Sequence, residues 1–308
     1  MPNKKIPLFE PFINSKEKQY VLDCLKTNWI SSKGKYIEKF QNKFSKYIGA
    51  KHSISVSNGT AALHLALLAL DIKKDDEVIV PSFTYVAPVN AIKYVGAKVV
   101  FIDVNFLTSQ IDEALLEKKI SKKTKALIVP HLYGQSAEIE KIKKICKKKK
   151  VYLVEDCAES FGCFFNKKHL GTFGEIGTFS FFFSHHMQTM EGGMLLTNDE
   201  KIYQLANSMR AHGWIRDLPE ENLLHNKSGN SFHDSFKFIT PGYSIRPLEM
   251  SGAIGSVQLK KINANILQRR INASTFETLF KDLSEHIVIQ KEVGESSWFG
   301  FSLILKNK

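Results

Sequence analysis

The stretch HSISVSNGTAALHLALLAL, residues His52–Leu70, gives the clearest indication of the fold class. Its first half is a short strand-like run that ends at Asn58-Gly59, and its second half is an apolar helix that begins at once. A strand that leads directly into a helix is the repeating unit of α/β folds. The amides of the first helical turn, with the Thr60 hydroxyl, can bind a phosphate, but Thr60 is equally well explained as an ordinary helix N-cap.

The same alternation continues along the chain. Strand-like runs occur at DEVIVPS, KVVFIDV, TKALIVPHLYG, VYLVEDC and TFSFFFS, and helical spacing occurs at APVNAIKYVG and EIEKIKKICKKKK. Continuous apolar strands between helices predict an α/β fold with a mostly parallel central sheet that is covered on both faces. Ligands bind at the carboxyl ends of such strands. Polar segments fall at these predicted ends: Asn58–Thr60, Ser82–Tyr85, His131–Gln135, Asp156–Ser160 and Ser180–His186.

The composition is that of an ordinary globular protein. Its 308 residues, of which 43% are hydrophobic and 24% charged, suit one large domain with or without part of a second. No apolar run is long enough to cross a membrane, and the first residues, MPNKKIPLFEPF, lack the layout of a signal peptide. We therefore expect a cytoplasmic protein without a membrane partner.

The formal net charge is +12, and much of the excess lies in two lysine-rich runs, Glu117–Lys125 and Glu140–Lys150. These runs have amphipathic helix and loop patterns, and no nucleic-acid motif accompanies them. We expect solvated surfaces and no nucleic-acid partner. The positive field can also attract an anionic substrate such as a nucleotide diphosphate.

The four cysteines have no zinc or iron–sulfur ligand spacing, so we expect free thiols and no bound metal. They are Cys24, Cys146, Cys157 and Cys163. Because no cysteine follows Cys163, chemistry that is coupled to an iron–sulfur cluster is not expected.

Three side chains at the strand ends are ambiguous when each is taken alone. Asp156 follows a buried strand and can bind a metal, orient a base, pair with a protonated ring nitrogen or cap a helix. Tyr85, in PSFTYVAP, can stack on a flat cofactor, but a lone aromatic is more often a core residue. Ser180 can donate to a phosphate or be a plain strand serine.

Taken together, these motifs resemble one family. A Gly-Thr helix start, an aromatic residue after PSFT, the acid of EDCAES and FSFF followed by EGG occur in that order. Their spacing resembles the DegT/DnrJ/EryC1/StrS sugar aminotransferases, which are fold-type I pyridoxal-phosphate (PLP) enzymes. The segments WISSKGKYIEKFQNKFSKYIGAKHSISVSNGTAALHLAL and PGYSIRPLEMSGAIGSVQLKKI are similar to that family as well, so the resemblance covers nearly the whole chain.

The resemblance implies a domain organisation. It implies a large cofactor-binding domain at residues 1–250, whose first residues can pack with the small domain. Residues 251–308 would form a linking helix and the start of a small C-terminal α+β domain, which stops near its first strand, as in a fragment. The pattern of SSWFGFSLILKNK, at the end of the chain, predicts that this strand begins at SSWFGF. The polar stretch Arg216–Lys237 would be a loop that serves as a lid or an interface. The resemblance also implies a homodimer with active sites at the subunit interface.

The resemblance implies phosphate-binding and ring-binding residues, which are given by their numbers in this sequence. Gly59, Thr60 and Ser180 would bind the cofactor phosphate, and Ser244 lies where many members have an asparagine that reaches the phosphate of the partner subunit. Tyr85 would stack on the pyridine ring, Asp156 would keep the ring nitrogen protonated, and Glu159 lies where the family usually has a glutamine near the ring hydroxyl.

One position departs from the family in a way that changes the chemistry. The lysine that tethers the cofactor lies six residues before the Glu of EGG, and here that position, six before Glu191, holds His185. Imidazole cannot form the stable imine that a primary amine forms with an aldehyde. The chain is therefore a dead homologue, a binding or regulatory relative, or a member of the sugar 3-dehydratase subclass that works from pyridoxamine phosphate (PMP). The paired histidines before MEGG resemble that subclass.

The preferred hypothesis is 3-dehydration of a nucleotide-linked 4-keto-6-deoxyhexose, with glutamate as amino donor and His185 as the base. Imidazole titrates near neutral pH, so it can take a proton and pass it to the departing C3 hydroxyl. A sugar-nucleotide aminotransferase and a catalytically inactive homologue are the alternatives. His186 is interpreted as structural or surface-exposed. His131 and His212 are interpreted as groups that contact the residues of the site and do not contact the cofactor themselves.

Overall fold

A computed structural model of the chain describes Pro7 and residues 9–306. The sequence predicts that the first residues pack with the small C-terminal domain, but residues 1–6 and 8 lie outside the described residues. Phe9 does pack against the C-terminal part, since its ring lies 6.3 Å from that of Phe299. None of the helices in the described residues is both long and apolar enough to span a membrane.

The described residues form strands that alternate with helices through most of the chain, as the sequence predicts. The strands are β1 (His52–Val56), β2 (Glu77–Pro81), β3 (Lys98–Ile102), β4 (Thr124–Pro130), β5 (Tyr152–Asp156), β6 (Phe164–Phe165), β7 (Lys168–His169), β8 (Ile176–Ser180), β9 (Gly193–Thr197), β10 (Ile287–Ile289) and β11 (Leu303–Leu305).

The helices are α1 (Ser15–Lys26), α2 (Lys35–Ile48), α3 (Gly59–Ala69), α4 (Ala87–Tyr94), α5 (Glu113–Lys119), α6 (Ile139–Lys149), α7 (Glu200–Met209), α8 (Ser231–Ser235), α9 (Glu249–Gln258) and α10 (Ile262–Phe280). Short 3₁₀ turns occur at Leu132–Gly134 and Lys281–Leu283.

The central sheet has seven strands in the order β1-β9-β8-β5-β4-β2-β3. The pairs from β8 through β5, β4 and β2 to β3 are parallel. Strand β9 runs antiparallel to both of its neighbours, so β1 points the same way as the parallel strands. The carboxyl ends of β1, β4, β5 and β8 therefore meet at one edge of the sheet. The predicted mostly parallel α/β sheet is confirmed.

Different helices cover the two faces of the sheet. Because successive strand residues point to opposite faces, Ile79 of β2 packs into the core with α2 and α6, while Val78 and Val80 pack into the core with α3 and α4. Except for the edge strand β3, the strands of this sheet are consequently buried on both sides, which explains their continuous apolar sequences.

The C-terminal part begins with α9, which packs on α2 so closely that a Cβ on Gly252 would lie 2.7 Å from the Ile37 amide nitrogen. The predicted boundary between residues 250 and 251 lies inside this helix, and the division into domains stays a prediction. After α10, β10 and β11 pair as a two-stranded antiparallel sheet.

Two local predictions need correction. The stretch Arg216–Lys237 is not only loop, because the Asn230 side chain caps the short helix α8 within it. The strand predicted to begin at SSWFGF begins only at Leu303. Before it lie residues 296–300, which we call the C-terminal turn, and within them Trp298 is in the left-handed region at φ 51°.

Candidate active site

A cavity of about 760 Å³ lies at the sheet edge where the carboxyl ends of the parallel strands meet. Its walls include the residues that follow β1, β2, β4, β5 and β8, so the polar segments predicted at the strand ends do meet around one cavity. Seven of the eight predicted site residues line this cavity: Gly59, Thr60, Tyr85, Asp156, Glu159, Ser180 and His185.

The first wall is the turn between β1 and α3. The Asn58 side chain accepts a hydrogen bond from the Ala61 amide at 2.8 Å and caps the helix, so the alternative that Thr60 is the N-cap is wrong. Within the described residues, the amides of Gly59 and Thr60 have no protein acceptor. A Cβ on Gly59 would lie 2.7 Å from Ser180 Cβ, so only glycine lets the turn approach this serine. The arrangement is a helix N-terminus with free donors and two hydroxyls beside it.

The second wall carries two adjacent carboxylates at the end of β5. Glu155 is fully buried and accepts hydrogen bonds from the amides of Gly171, Phe173 and Gly174 at 2.6–2.8 Å. Asp156, which points into the cavity, accepts one, from the Ala158 amide at 3.1 Å. Burial raises the pKa of Asp156 to about 7. A buried carboxylate with so few donors is suited to a partner that brings a proton.

His131 links this pair to the neighbouring strand. Its Nδ1 accepts from the Ala137 amide at 3.2 Å, so its Nε2 carries the proton and donates to Glu155 Oε2, also at 3.2 Å. Together with Cys157, these groups lie within 4.8 Å of one another, which is metal-ligand spacing. The Glu155 oxygens are already occupied by N–H donors, so the group is a hydrogen-bonded part of the core. His131 also lines the cavity, which agrees with a supporting role.

Tyr85 and Glu159 complete the walls around Asp156. Tyr85 is 70% exposed, so the alternative of a core aromatic is wrong, and its ring is free to cover a bound group. Glu159 Oε2 accepts from the Tyr133 amide at 2.7 Å, and burial raises its pKa.

Two predicted residues lie away from the cavity of their own chain. Ser244 is exposed and pairs through its backbone with Ala211. His212 is also exposed, in the left-handed region at φ 64°, and its ring packs on Trp214 at 5.4 Å. Neither one can act on a group bound in this chain's cavity by direct contact.

The histidine pair divides between the cavity and the core. His185 lines the cavity, and burial lowers its pKa to about 4. Its Nδ1 is enclosed without a partner among the described residues, which leaves Nε2 as the nitrogen open to the cavity. His186 is 3% exposed, and its Nε2 donates to the Ser297 carbonyl at 3.0 Å. The structural interpretation of His186 is confirmed, and both imidazoles are neutral at neutral pH.

Some wall residues were missed at the sequence level. His64 lies one helical turn after Thr60, and this i, i+4 spacing could have revealed it. Phe9 and Phe299 come from the two ends of the chain, and no local pattern predicts that they meet above His185. Among the described residues, no lysine lines the cavity.

These residues fit a flat, phosphorylated heterocycle with a basic ring nitrogen. The free amides beside Gly59 suit a phosphate, the poorly satisfied Asp156 suits a protonated ring nitrogen, and Tyr85 suits the ring face. His185 also lines this cavity, and no lysine of the described residues does.

Comparison with known proteins agrees with this geometry. The model of the DegT/DnrJ/EryC1/StrS aminotransferase family matches residues 11–308. GDP-4-keto-6-deoxy-D-mannose 3-dehydratase of Yersinia pseudotuberculosis is 42% identical over 97% of this chain and 78% of that protein. GDP-perosamine synthase of Escherichia coli is 41% identical over 96% of this chain and 77% of that protein.

The fold of this chain is also similar to that of a solved structure. GDP-4-keto-6-deoxymannose-3-dehydratase with a trapped PLP–glutamate geminal diamine superposes with a TM-score of 0.94 at 40% identity, over 99% of this chain and 80% of that chain. The fold predicted from the resemblance is thereby confirmed. The chain belongs to the DegT/DnrJ/EryC1/StrS aminotransferase family.

Proposed function

We propose that this protein is a PLP/PMP-dependent 3-dehydratase that acts on a nucleotide-linked 4-keto-6-deoxyhexose, with glutamate as amino donor. The observation that carries the proposal is that His185 lines a cavity whose other walls suit the cofactor. The family resemblance implies that this position is the one from which a lysine would tether the cofactor. Relatives named GDP-4-keto-6-deoxy-D-mannose 3-dehydratase support the same activity and make a GDP sugar the first substrate to test. A cytoplasmic location fits a nucleotide-sugar substrate.

The chain's own residues would hold the cofactor at both ends. The amides of Gly59 and Thr60, with the Ser180 hydroxyl, would bind the phosphate, and Tyr85 would cover the ring. Asp156 would hold a proton on the ring nitrogen, and Glu159 would lie near the ring hydroxyl. When bound, PMP supplies an amine for the C4 keto group and a ring that accepts electrons.

His185 would move the proton that elimination requires. A neutral imidazole can accept a proton through Nε2. Burial lowers the pKa of His185 to about 4, below the near-neutral titration expected from the sequence, so the imidazole is a weaker base and its imidazolium a better proton donor to the departing C3 hydroxyl. A lysine in this place would do similar proton chemistry but would also capture the cofactor aldehyde. Histidine therefore favours elimination from an untethered cofactor.

A sugar-nucleotide aminotransferase is the second candidate, and the 41% identity to GDP-perosamine synthase favours it. The two candidates differ in where nitrogen goes. The dehydratase converts each glutamate to 2-oxoglutarate, releases one ammonia and leaves a 3-deoxy keto sugar. The aminotransferase keeps the nitrogen on C4 of the sugar and releases no ammonia.

The test is incubation of the purified chain with PLP, ¹⁵N-glutamate and GDP-4-keto-6-deoxymannose, followed by product mass spectrometry. We expect a sugar that has lost the C3 oxygen and carries no ¹⁵N, with ammonia formed in step. A ¹⁵N-labelled sugar that retains its C3 oxygen would establish the aminotransferase instead. An unchanged cofactor spectrum after glutamate addition would indicate an inactive homologue.

We further infer a homodimer, because Ser244 is exposed and does not line its own cavity. In a dimer it can reach the phosphate site of the partner subunit. A sedimentation measurement tests the dimer, and loss of PLP affinity in Ser244→Ala tests the contact.

A further inference from the structure

We propose that Arg269 is a positioning residue for His185, which it controls by anchoring the C-terminal turn over the imidazole. The proposal rests on the proposed function, in which His185 transfers the proton. It assigns a role in the active site to a side chain that does not itself line the cavity.

The anchor is a pair of hydrogen bonds from α10. Arg269 Nη1 donates to the carbonyls of Trp298 and Phe299, each at 3.1 Å. These carbonyls belong to the part of the turn where Trp298 has positive φ, a conformation that a non-glycine side chain disfavours. The turn therefore needs such external bonds to keep its shape.

The same turn contacts both histidines. The Phe299 ring lies 5.4 Å from the His185 ring and 5.8 Å from the His186 ring. The Ser297 carbonyl accepts the hydrogen bond from His186. Displacement of the turn would open the cover over His185 and release its neighbour at the same time.

On its inner side the turn is bonded to the segment after β4. The amides of Ser297 and Phe299 donate to the carbonyls of Gly134 and Tyr133 at 2.8 and 2.9 Å. Tyr133 in turn donates its amide to Glu159. Contacts therefore run from Glu159 through Tyr133 and the C-terminal turn to His185. Arg269, on α10, holds the turn from its other side.

The guanidinium also acts on His185 through its charge. Burial is the first cause that lowers the pKa of His185, and the positive charge of Arg269 is the second. His186 is the neighbour of His185, and the other titratable side chains that line the same cavity are His64, Tyr85, Tyr94, His131, Asp156, Glu159 and Glu191. Arg269 keeps the imidazole neutral both by repelling a second positive charge and by holding the turn that excludes water.

The experiment measures the His185 titration directly, in the cofactor-free full chain. Imidazole NMR signals are followed against pH, and the His185 signal is assigned by its loss in His185→Asn. We expect Arg269→Gln to raise the His185 midpoint by about one pH unit or more, because both charge and cover are lost. Arg269→Lys keeps the charge but not the paired hydrogen bonds, so a smaller rise is expected.

Arg270 provides the matched control on the same helix. Its Nε donates to the Ser296 carbonyl at 2.8 Å, at the far end of the turn from Phe299. Arg270→Gln removes a bond at the other end of the turn and a charge that does not lower the pKa of His185, so it should raise the His185 midpoint by less than Arg269→Gln does. An unchanged midpoint in Arg269→Gln, or an equal rise in Arg270→Gln, would overturn the proposal; if Arg269→Gln does not fold, Arg269→Lys against Arg270→Lys decides by the same comparison.

The acid limb of kcat/KM should move with the NMR midpoint. If the wild-type chain forms no 3-deoxy sugar, the proposed function fails, and the titration still decides whether Arg269 positions His185.

Discussion

Glu155 and Asp156 are neighbours on β5, yet their environments are opposite. Glu155 faces the core, where the amides of three residues and His131 satisfy it, and these bonds outweigh burial and lower its pKa. Asp156 faces the cavity with a single amide donor, and burial raises its pKa to about 7. Alternation of strand residues separates the two roles within one dipeptide: the satisfied carboxylate holds the fold, and the unsatisfied one is left for a ligand.

His185 and His186, which are neighbours in a loop, differ in the same way as Glu155 and Asp156. His186 is bonded to the Ser297 carbonyl and enclosed, while His185 opens to the cavity with one nitrogen free. In both pairs, the residue that the protein leaves incomplete is the one that the proposed chemistry uses. Separate substitution of each member tests whether the two members of a pair have different roles.

The largest effect is expected at His185. His185→Asn removes the base but keeps a polar side chain in its place. Turnover should therefore fall about 10²–10⁴-fold, which is the usual contribution of general acid–base catalysis to the rate. Steady-state assay of 3-deoxy sugar formation measures the fall, and PLP fluorescence confirms that the cofactor still binds. A loss below about tenfold would mean that another group moves the proton.

Asp156→Asn should abolish most activity and yet stabilise the cofactor-free protein above neutral pH. Its raised pKa means that the folded chain holds a proton that the unfolded chain releases. The stability of the wild type therefore falls as pH rises from about 4 to about 7, and the full penalty remains above that.

Urea unfolding of the cofactor-free proteins tests this prediction. The variant should be more stable than the wild type by a few kcal/mol at pH 8, and the difference should vanish toward pH 4. A variant that is less stable at pH 8 would contradict the cavity-facing assignment of Asp156.

Glu155→Gln should have the opposite effects: a loss of stability and little loss of activity. The amide nitrogen would confront buried N–H donors, so the free energy of unfolding should fall by about 1–3 kcal/mol. The catalytic constant of the folded enzyme should change little. Urea titration measures the stability, and steady-state kinetics measures the catalytic constant. A large kinetic defect without a loss of stability would mean that Glu155, like Asp156, acts on the ligand rather than on the fold.

The smallest effect is expected for His186→Asn, the matched control for His185→Asn. It loses one hydrogen bond to the Ser297 carbonyl, so we expect destabilisation of about 1 kcal/mol and a modest change in turnover. Thermal unfolding and the same dehydration assay apply. Equal kinetic defects in the two histidine variants would show that the pair acts as a unit.

The sequence predicts the sheet and most of the cavity because strand and helix periodicity reflects burial directly. The Asn58–Thr60 turn, Asp156 and His185 follow strand ends, and strand ends of parallel sheets converge. The covering elements could not be predicted in this way. Phe299 and Arg269 act through contacts between distant parts of the chain, and the left-handed Trp298 that shapes the turn has no sequence signal.

Choices between equivalent local patterns were also undecidable from sequence. Asn58 and Thr60 are both good capping residues, and only the backbone shows that Asn58 caps α3. Glu155 and Asp156 both lie at the end of β5, and their residue types alone do not decide which one faces the cavity. The family resemblance implies Asp156, and the structure shows that Asp156 lines the cavity.

The central claim is that imidazole at position 185 leaves the cofactor untethered, and covalent trapping tests it most directly. The wild-type chain is mixed with PLP, reduced with borohydride and examined by intact-mass spectrometry, beside His185→Lys treated in the same way. We predict no cofactor adduct on the wild type and one adduct, at residue 185, on the variant. A stoichiometric adduct on any lysine of the wild-type chain would contradict the account.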